Sequence, residues 1–301
     1  MTASPTSSVR PHLSVPAIRH HKVRSGATPL VMLTAYDAPT ARLATAAGID
    51  MILVGDSVGT AVLGYDSTVP VTLDEIIHHA KAARRGAPDA HIVVDLPFMT
   101  YQVSDEQAVT NAGRLLKEAG ADAVKLEAGV TLASRVRAIA SAGIPVIGHI
   151  GLTPQTAGAL GGMRVQGRDL DGALGLIADA DAVAAAGAYA LVIEVVPADL
   201  ARIITDRIAI PTIGIGAGAG CDGQVLVWTD LAGLTAKPEE QAIAPRFAKH
   251  YVNLNASLAG AFAAFAGEVR SGAYPEPEHG FTMKADVVAE LEARLATETA
   301  E

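Results

Sequence analysis

Ionisable side chains stand at the ends of five short apolar runs, where they could act together on a substrate. They are Asp56, Asp95, Lys125 with Glu127, His149 and Glu194. Their apolar flanks predict partial burial, and a cation shared among several carboxylates would relieve the cost of burying unpaired charge. Oxygen ligands favour Mg²⁺, and the chain has no His/Cys pattern typical of zinc. The pattern therefore predicts a divalent-metal site built from carboxylates.

Structural alternatives remain open for five of these six residues. Asp56 could cap the loop that follows it, and Asp95, before Leu-Pro-Phe, could be a turn residue. Lys125 and Glu127 point to the same face of a strand, so they could form an ion pair inside the protein. His149 could be a core histidine whose hydrogen bonds are satisfied.

Glu194 is the hardest of the set to explain structurally. It interrupts the run 191–196, which is otherwise uniformly apolar. Such surroundings tend to raise the pKa of a carboxyl, which suits a general base or acid. Glu194 is therefore a candidate general base or acid.

The elements that position these residues alternate along the chain. Eight apolar runs predict strands at 30–34, 51–54, 91–94, 123–126, 145–148, 190–193, 211–215 and 224–227. Ala-rich segments between them predict helices at 39–47, 73–85, 105–119, 132–142 and 171–186. This alternation predicts parallel pairing through right-handed crossovers and, with eight units, a (β/α)₈ TIM barrel. An open doubly wound sheet is the alternative.

Two connections, 57–71 and 151–170, are long enough to suggest functional loops at the C-terminal face of the barrel. The glycine-rich run 214–218 (GIGAG) after the seventh strand could bind phosphate, or it could only let the loop pass close to the site.

The domain organisation is predicted as one catalytic barrel with additions at both ends. Residues 1–13 form a disordered tail, 14–284 the single barrel, and 285–301 a C-terminal helix with a frayed end. A basic helical segment at 15–24 precedes the first strand. A long helix at 245–272 carries an apolar stripe that suits the core or a subunit interface.

Composition excludes several classes of protein. The 301 residues carry 23 basic and 32 acidic side chains, a net charge of −9 that argues against nucleic-acid binding. The single cysteine, Cys221, excludes an internal disulfide and suits a reducing compartment. No apolar stretch is long enough for a membrane span, and the N-terminus lacks a secretory signal pattern. We therefore expect a soluble cytoplasmic protein.

Several motifs resemble those of the ketopantoate hydroxymethyltransferase family, in order from about residue 34 to 281. They are 32–37 (MLTAYD), 55–57 (GDS), 64–70 (GYDSTVP), 95–98 (DLPF), 125–127 (KLE), 148–155 (GHIGLTPQ), 162–168 (GMRVQGR), 222–227 (DGQVLV) and 245–247 (PRF). Several are long enough to be highly specific. One departure is Ala128, where the family more often has glycine.

The resemblance implies a (β/α)₈ barrel that uses Mg²⁺, an α-keto acid and 5,10-methylene-tetrahydrofolate, and that assembles as a homodecamer. The implied product is 2-dehydropantoate, formed from 3-methyl-2-oxobutanoate through a Mg-stabilised enolate in pantothenate and coenzyme A biosynthesis.

The same resemblance implies roles for individual residues. Asp56 and Asp95 match metal ligands, with Glu127 in or beside that shell. Ser57, Asp95 and Lys125 match contacts to the keto acid, to which Asp56 and His149 are added as substrate-binding residues. Glu194 matches the proton acceptor, and His149 is the second candidate for the base.

Two other functions are alternatives. One is a Mg²⁺-enolate carbon–carbon lyase of the isocitrate lyase or phosphoenolpyruvate mutase type, although this chain lacks their Lys-Lys-Cys-Gly-His loop. The other is a non-catalytic phosphate-binding barrel or scaffold, against which the convergent ionisable groups argue.

Overall fold

Eight parallel strands close into a barrel in the computed structural model, which describes residues 13–234 and 245–298. The strands are β1 (Leu30–Thr34), β2 (Met51–Val54), β3 (His91–Asp95), β4 (Ala123–Glu127), β5 (Val146–Gly151), β6 (Ala190–Glu194), β7 (Thr212–Ile215) and β8 (Gly223–Leu226). The ring closes where β1 pairs with β8, Leu30 lying opposite Gly223. The predicted TIM barrel is confirmed, and closure excludes the open sheet.

The alternation of strand side chains divides the buried residues into two cores. Met32, Met51 and Ile147 belong to a cluster drawn almost wholly from the strands, which fills the barrel interior. The alternate strand residues, such as Ile52 and Leu191, pack with apolar residues of the surrounding helices. Strands buried on both faces explain why the sequence shows continuous apolar runs.

The helices of the first part of the chain are α1 (Val15–Arg19), α2 (Ala38–Ala46), α3 (Leu73–Gly86), α4 (Asp105–Ala119), α5 (Ala133–Ser141), α6 (Leu170–Ala185), α7 (Ala198–Arg207) and α8 (Trp228–Leu231). Four helices are followed by a glycine in the left-handed conformation, with φ between 70° and 107° at positions 48, 120, 143 and 187. Glycine adopts this conformation without the steric cost that a Cβ brings.

Two predicted helices differ from the structure. The segment 15–24 is broken: α1 ends at Arg19 and a separate 3₁₀ turn covers Val23–Ser25. The break places Lys22 in an extended conformation with its side chain buried against Asp222. The predicted helix 245–272 begins only at Leu254, where the Asn253 side chain accepts a hydrogen bond from the Ala256 amide and caps it.

The chain divides into two compact units between Val252 and Asn253. The second unit contains α9 (Leu254–Ser271) and α10 (Ala285–Glu298). The sequence predicted a barrel domain that extends to residue 284. In the structure the boundary between the two units lies earlier, so α9 belongs to the second unit. The predicted tail at 1–13, except Leu13, and the extreme C-terminus at 299–301 lie outside the described residues.

Within the described ranges, no helix is both long and apolar enough to cross a membrane.

Candidate functional site

The interior face of the barrel carries the predicted site residues. Residues two apart on a strand share a face, so Asp95 lies on the side of Val93, Lys125 and Glu127 on that of Ala123, and His149 on that of Ile147. All of these apolar partners belong to the interior cluster. Glu194 follows Ala190 and Val192 in the same way. The C-terminal strand ends therefore direct all five ionisable groups to one mouth of the barrel.

Asp95 joins the ends of three neighbouring strands. Its Oδ1 lies 2.9 Å from Lys125 Nζ, and its Oδ2 accepts a hydrogen bond of 3.1 Å from the Asp56 amide. Gly55 permits this approach, because a Cβ there would lie 3.2 Å from Asp95 Oδ2 and 2.9 Å from Ser57 Oγ. Lys125 pairs with Asp95, so the alternative of a Lys125–Glu127 ion pair is wrong, and Asp95 is more than a turn residue.

Ser57 lies at the start of the long loop after β2. Its Oγ is 2.8 Å from the hydroxyl of Tyr36, a fully buried side chain just beyond β1. This contact fixes the seryl side chain beside Asp56. The role of Tyr36 was not predicted, although the residue lies in the motif 32–37.

Gln155 connects the carboxylates across the site, and no role was predicted for it. Its side-chain amide donates to Asp56 Oδ2 at 2.8 Å and to the Leu96 carbonyl at 3.0 Å. Its backbone N–H donates to Glu127 Oε1 at 3.0 Å, and its Oε1 accepts from the Tyr101 hydroxyl at 2.7 Å. The only signal in the sequence was its place in the motif 148–155. With its side chain bound by Gln155, Asp56 does not act as a simple loop cap.

Glu194 and His149 form a second group, on the neighbouring strands β5 and β6, with His149 opposite Glu127 in the strand register. His149 Nε2 lies 3.1 Å from Glu194 Oε2, although the two are not aligned as a hydrogen bond. The Glu194 side chain is 14% exposed and that of His149 only 4%. The next residue, Val195, has a φ of 48°, a conformation that a β-branched residue rarely adopts. Strain of this kind is concentrated at functional sites.

Burial and mutual repulsion determine the charge states of the carboxylates. Burial, followed by the Asp95 carboxylate, raises the pKa of Asp56 to about 7, although Lys125 and Gln155 oppose this shift. Burial, followed by the charge of Asp56, raises the pKa of Glu127 to about 9. The Glu127 Oε2 atom is buried without a hydrogen-bond partner among the described residues. These carboxyl groups are held close together without enough positive charge to balance them.

The two cationic candidates shift in opposite directions. Burial works against the charge of Lys125, but the carboxylates of Asp95 and Asp56 outweigh it, and the pKa of Lys125 rises. Burial and the nearby Lys125 cation lower the pKa of His149. At neutral pH the site therefore holds a charged lysine and a neutral imidazole.

The carboxylates suit a hard cation that keeps part of its water shell. In the described part of the chain, no group of three or more His, Cys, Asp or Glu side chains is arranged to hold a metal ion. Asp56 and Asp95 nevertheless adjoin each other, and Mg²⁺ is commonly held by one or two carboxylates together with waters and substrate oxygens. A cation bound here would relieve the repulsion that raises the pKa of Asp56. It would also give the unpaired Glu127 Oε2 atom a partner.

The glycines after β7 pack closely against side chains. A Cβ at Gly216 would lie 2.8 Å from the Phe247 ring, and one at Gly218 would lie 2.4 Å from the Ala198 side chain. These contacts give the glycines a packing role that neither interpretation of the run 214–218 described, and phosphate binding there stays a prediction.

Comparison with known proteins now decides the family. A sequence profile described as ketopantoate hydroxymethyltransferase matches residues 13–277. The chain belongs to the ketopantoate hydroxymethyltransferase family. It is therefore an enzyme, a transferase, and the family resemblance stated from its motifs is confirmed.

Relatives named 3-methyl-2-oxobutanoate hydroxymethyltransferase match this chain over most of its length. The protein of Desulfotalea psychrophila is 55% identical over 255 residues, covering 85% of this chain and 90% of its own. That of Moorella thermoacetica is 54% identical, covering 90% of this chain and 98% of its own. That of Deinococcus radiodurans is 50% identical over 95% and 99% of the two chains.

Solved structures with lower identity share the fold of this family member. Phosphoenolpyruvate phosphomutase from Streptomyces platensis subsp. rosaceus aligns with a TM-score of 0.54 at 18% identity, covering 93% of this chain and 96% of its own. A 2,3-dimethylmalate lyase of the PEP mutase/isocitrate lyase superfamily aligns with a TM-score of 0.56 at 14% identity, over 93% and 98% of the chains. At such identities these likenesses show the barrel architecture alone.

Proposed function

We propose that the protein transfers a hydroxymethyl group from 5,10-methylene-tetrahydrofolate to 3-methyl-2-oxobutanoate, giving 2-dehydropantoate for pantothenate and coenzyme A biosynthesis. The family match carries the reaction class, and the convergence of Asp56, Asp95, Lys125 and Glu194 supports the chemistry. In the balanced reaction, C3 of the keto acid loses its proton and gains the one-carbon unit. Water supplies the hydroxyl group. The proton from C3 and the second proton of water end on the two nitrogens of tetrahydrofolate, which leaves.

The first requirement is to bind the keto acid and acidify its C3 proton. Asp56 and Asp95 would hold Mg²⁺, with Glu127 beside them and Ser57 at the substrate. When bound, the ion supplies Lewis-acid polarisation of the keto oxygen. The Lys125 ammonium, fixed by Asp95 at 2.9 Å, faces the same oxygens and stabilises the negative charge of the enolate.

Glu194 is the proposed base that removes the C3 proton. Its carboxylate is the more accessible of the pair it forms with His149. The lowered pKa of His149 makes the imidazole a weak base, so it is better suited to orient Glu194 than to replace it. The enolate carbon then bonds to the one-carbon unit that the folate delivers.

Formation of 2-dehydropantoate by the purified protein, with both substrates and Mg²⁺ present, tests this proposal. We expect turnover that depends on the folate, stops with EDTA and returns when Mg²⁺ is added in excess. A wild-type protein that produces no 2-dehydropantoate under these conditions would contradict the proposed function. Turnover unaffected by EDTA would contradict the metal alone.

The proposal also covers assembly and location. By family resemblance the protein acts as a homodecamer in the cytoplasm, with the small-molecule substrates as its partners and no role for nucleic acid or membrane. Sedimentation of the purified protein measures the first of these directly.

A further inference from the structure

A cavity of about 400 Å³ adjoins the site on the side of Glu127. The loops that follow β4 and β5 enclose it together with α6. Tyr101 and Glu127 form its inner wall, and Gly151, which also lines it, lies opposite Glu194 in the strand register. Its volume is within the range of small-molecule sites. The cavity therefore adjoins the proposed keto-acid site at Glu127, but Asp56, Asp95, Lys125 and Glu194 do not line it.

The face of helix α6 that lines this cavity contains two glycines. Gly175 and Leu176 lie three and four residues from both Gly172 and Asp179, so the four share one face of the helix, and all four line the cavity. Glycine inside a helix is unfavourable compared with alanine. Packing does not require it at Gly175, where a Cβ would meet no heavy atom within 4 Å. The missing side chain leaves room in the cavity instead.

Asp179 places a carboxylate on the wall of the same cavity. Its Oδ1 accepts a hydrogen bond of 2.8 Å from the Val130 amide, which fixes the direction of the group. A Cβ at Gly129 would lie 2.3 Å from this oxygen, so the glycine is needed for the approach. The buried Glu127 Oε2, which has no hydrogen-bond partner in the described ranges, is a second polar atom at the cavity wall.

We propose that this cavity binds the pterin ring of the folate co-substrate, with Asp179 pairing with its amino-pyrimidinone edge. That edge carries two parallel N–H donors, N3–H and the 2-amino group, which match a carboxylate as a guanidinium does. The remaining ring needs flat apolar walls, which Leu132, Leu160 and Leu176 provide. The inference rests on the proposed function and adds to it the residues that hold the donor.

Filling the space above Gly175 tests the cavity. Gly175→Leu places a side chain where the pterin would lie, and we expect the KM for methylene-tetrahydrofolate to rise at least about tenfold, the effect of about 1.4 kcal/mol of lost binding. The KM for the keto acid should change far less. Gly113→Leu is the matched control, because Gly113 is also a helical glycine where an added Cβ would meet no heavy atom within 4 Å, but it lies on α4 outside the cavity.

Removing the charge of Asp179 tests its pairing with the pterin. Asp179→Asn retains an oxygen for the Val130 amide but replaces one acceptor with a donor. We expect a rise of about tenfold or more in the folate KM, typical for loss of a charged hydrogen bond. Asp171→Asn is the control, since Asp171 is exposed on the same helix and does not line the cavity.

Exchange of the C3 proton of the keto acid with deuterated water, measured without folate, separates the two proposals. Wild-type exchange and turnover, with a folate KM within twofold of wild type in both cavity variants, would overturn the pterin site and leave the proposed function intact. A wild type that neither exchanges the proton nor turns over would overturn both. A selective rise in the folate KM in both cavity variants, absent from both controls, supports the inference.

Discussion

Glu194 carries the most specific prediction at the scale of single residues. Glu194→Gln keeps the shape of the side chain but cannot accept the C3 proton, so we expect proton exchange to fall about 10²- to 10⁴-fold. NMR of the keto acid in deuterated water measures the rate. His149→Gln should have a smaller effect, because His149 is assigned to orientation.

Glu118→Gln, an exposed change of the same type on α4, is the control. Exchange at the wild-type rate in Glu194→Gln would assign the base elsewhere, and loss of exchange in His149→Gln alone would assign it to the imidazole.

Glu127 predicts how the stability of the metal-free protein changes with pH. Its pKa of about 9 in the folded state exceeds the ordinary value of 4.5, so between these pH values the folded protein holds a proton that the unfolded chain has released. The free energy of unfolding therefore decreases as pH rises through this window, by at most about 1.4 kcal/mol per pH unit for one group. Asp56 adds the same sign up to about pH 7.

Urea denaturation in EDTA from pH 6 to 9 measures this slope. Glu127→Gln imitates the protonated form, so its stability should vary less with pH, most clearly above pH 7. A slope equal to that of the wild type would show that Glu127 does not hold a proton in this range.

Residue types and positions in the sequence were sufficient to predict the site-facing carboxylates, Lys125, His149 and Glu194. The bonds among them were not predictable. Lys125 has carboxylates both on its own strand and on neighbouring strands, and it pairs with Asp95 because the register of β3 and β4 sets these two residues opposite each other. Gln155 was missed for a related reason: it lies on a 3₁₀ turn whose path no periodicity describes.

At the scale of helices and strands, two capping motifs that look alike in the sequence differ in the structure. Thr72 and Glu75 form a complete capping box at the start of α3, with both reciprocal hydrogen bonds present. At α4 the Ser104 side chain accepts from the Gln107 amide, but the Gln107 side chain accepts from Val103 instead of Ser104. Spacing alone predicts the element, whereas the exact partner depends on side-chain rotamers.

Replacing each cap by alanine measures the cap itself. Thr72→Ala and Ser104→Ala should each lower the free energy of unfolding, by about 1 kcal/mol. Thr72→Ala should have the larger effect, because the Glu75 carboxylate also accepts from the Thr72 hydroxyl at 2.8 Å and loses that bond. Equal stability of Thr72→Ala and the wild type in urea denaturation would contradict this reasoning.

Strand positions were predicted closely because most strands are short apolar runs that end at, or just before, a polar residue or glycine; β8, with its exposed Gln224, is the exception. The helix 245–272 was predicted too long because residues 245–253 (PRFAKHYVN) contain no glycine and no further proline to mark a later start. Composition does not reveal a start that a local cap at Asn253 determines.

At the scale of the whole molecule, a buried ion pair links distant parts of the chain. Lys22 Nζ lies 2.6 Å from Asp222 Oδ2, with side-chain exposures of 6% and 1%. The ammonium also donates to the carbonyls of Thr205 and Ile210, and Asp222 accepts from the Val23 and Thr212 amides. No spacing rule joins residues 200 positions apart, so this pair was not predictable from the sequence.

Removing one partner should leave a buried uncompensated charge. Lys22→Met is expected to lower the free energy of unfolding by about 3–5 kcal/mol, measured by urea denaturation. Arg202→Met removes one partner of the exposed Arg202–Asp206 pair, whose side chains are about half exposed, and should cost less than about 1 kcal/mol. Similar losses in both variants would contradict a structural role for burial of the Lys22–Asp222 pair.

The pairing of β1 with β8 also has a consequence for how the protein is made. Every other neighbouring pair consists of consecutive strands. Leu30 of β1, however, pairs with Gly223 of β8, which is the last strand to be synthesised. Until residue 226 has left the ribosome the barrel cannot close, so any sheet that has formed by then has two unpaired edges. Such edges attract other strands. The nascent chain is thus at its most vulnerable to association just before its last strand arrives, and chaperone capture at that stage would protect it.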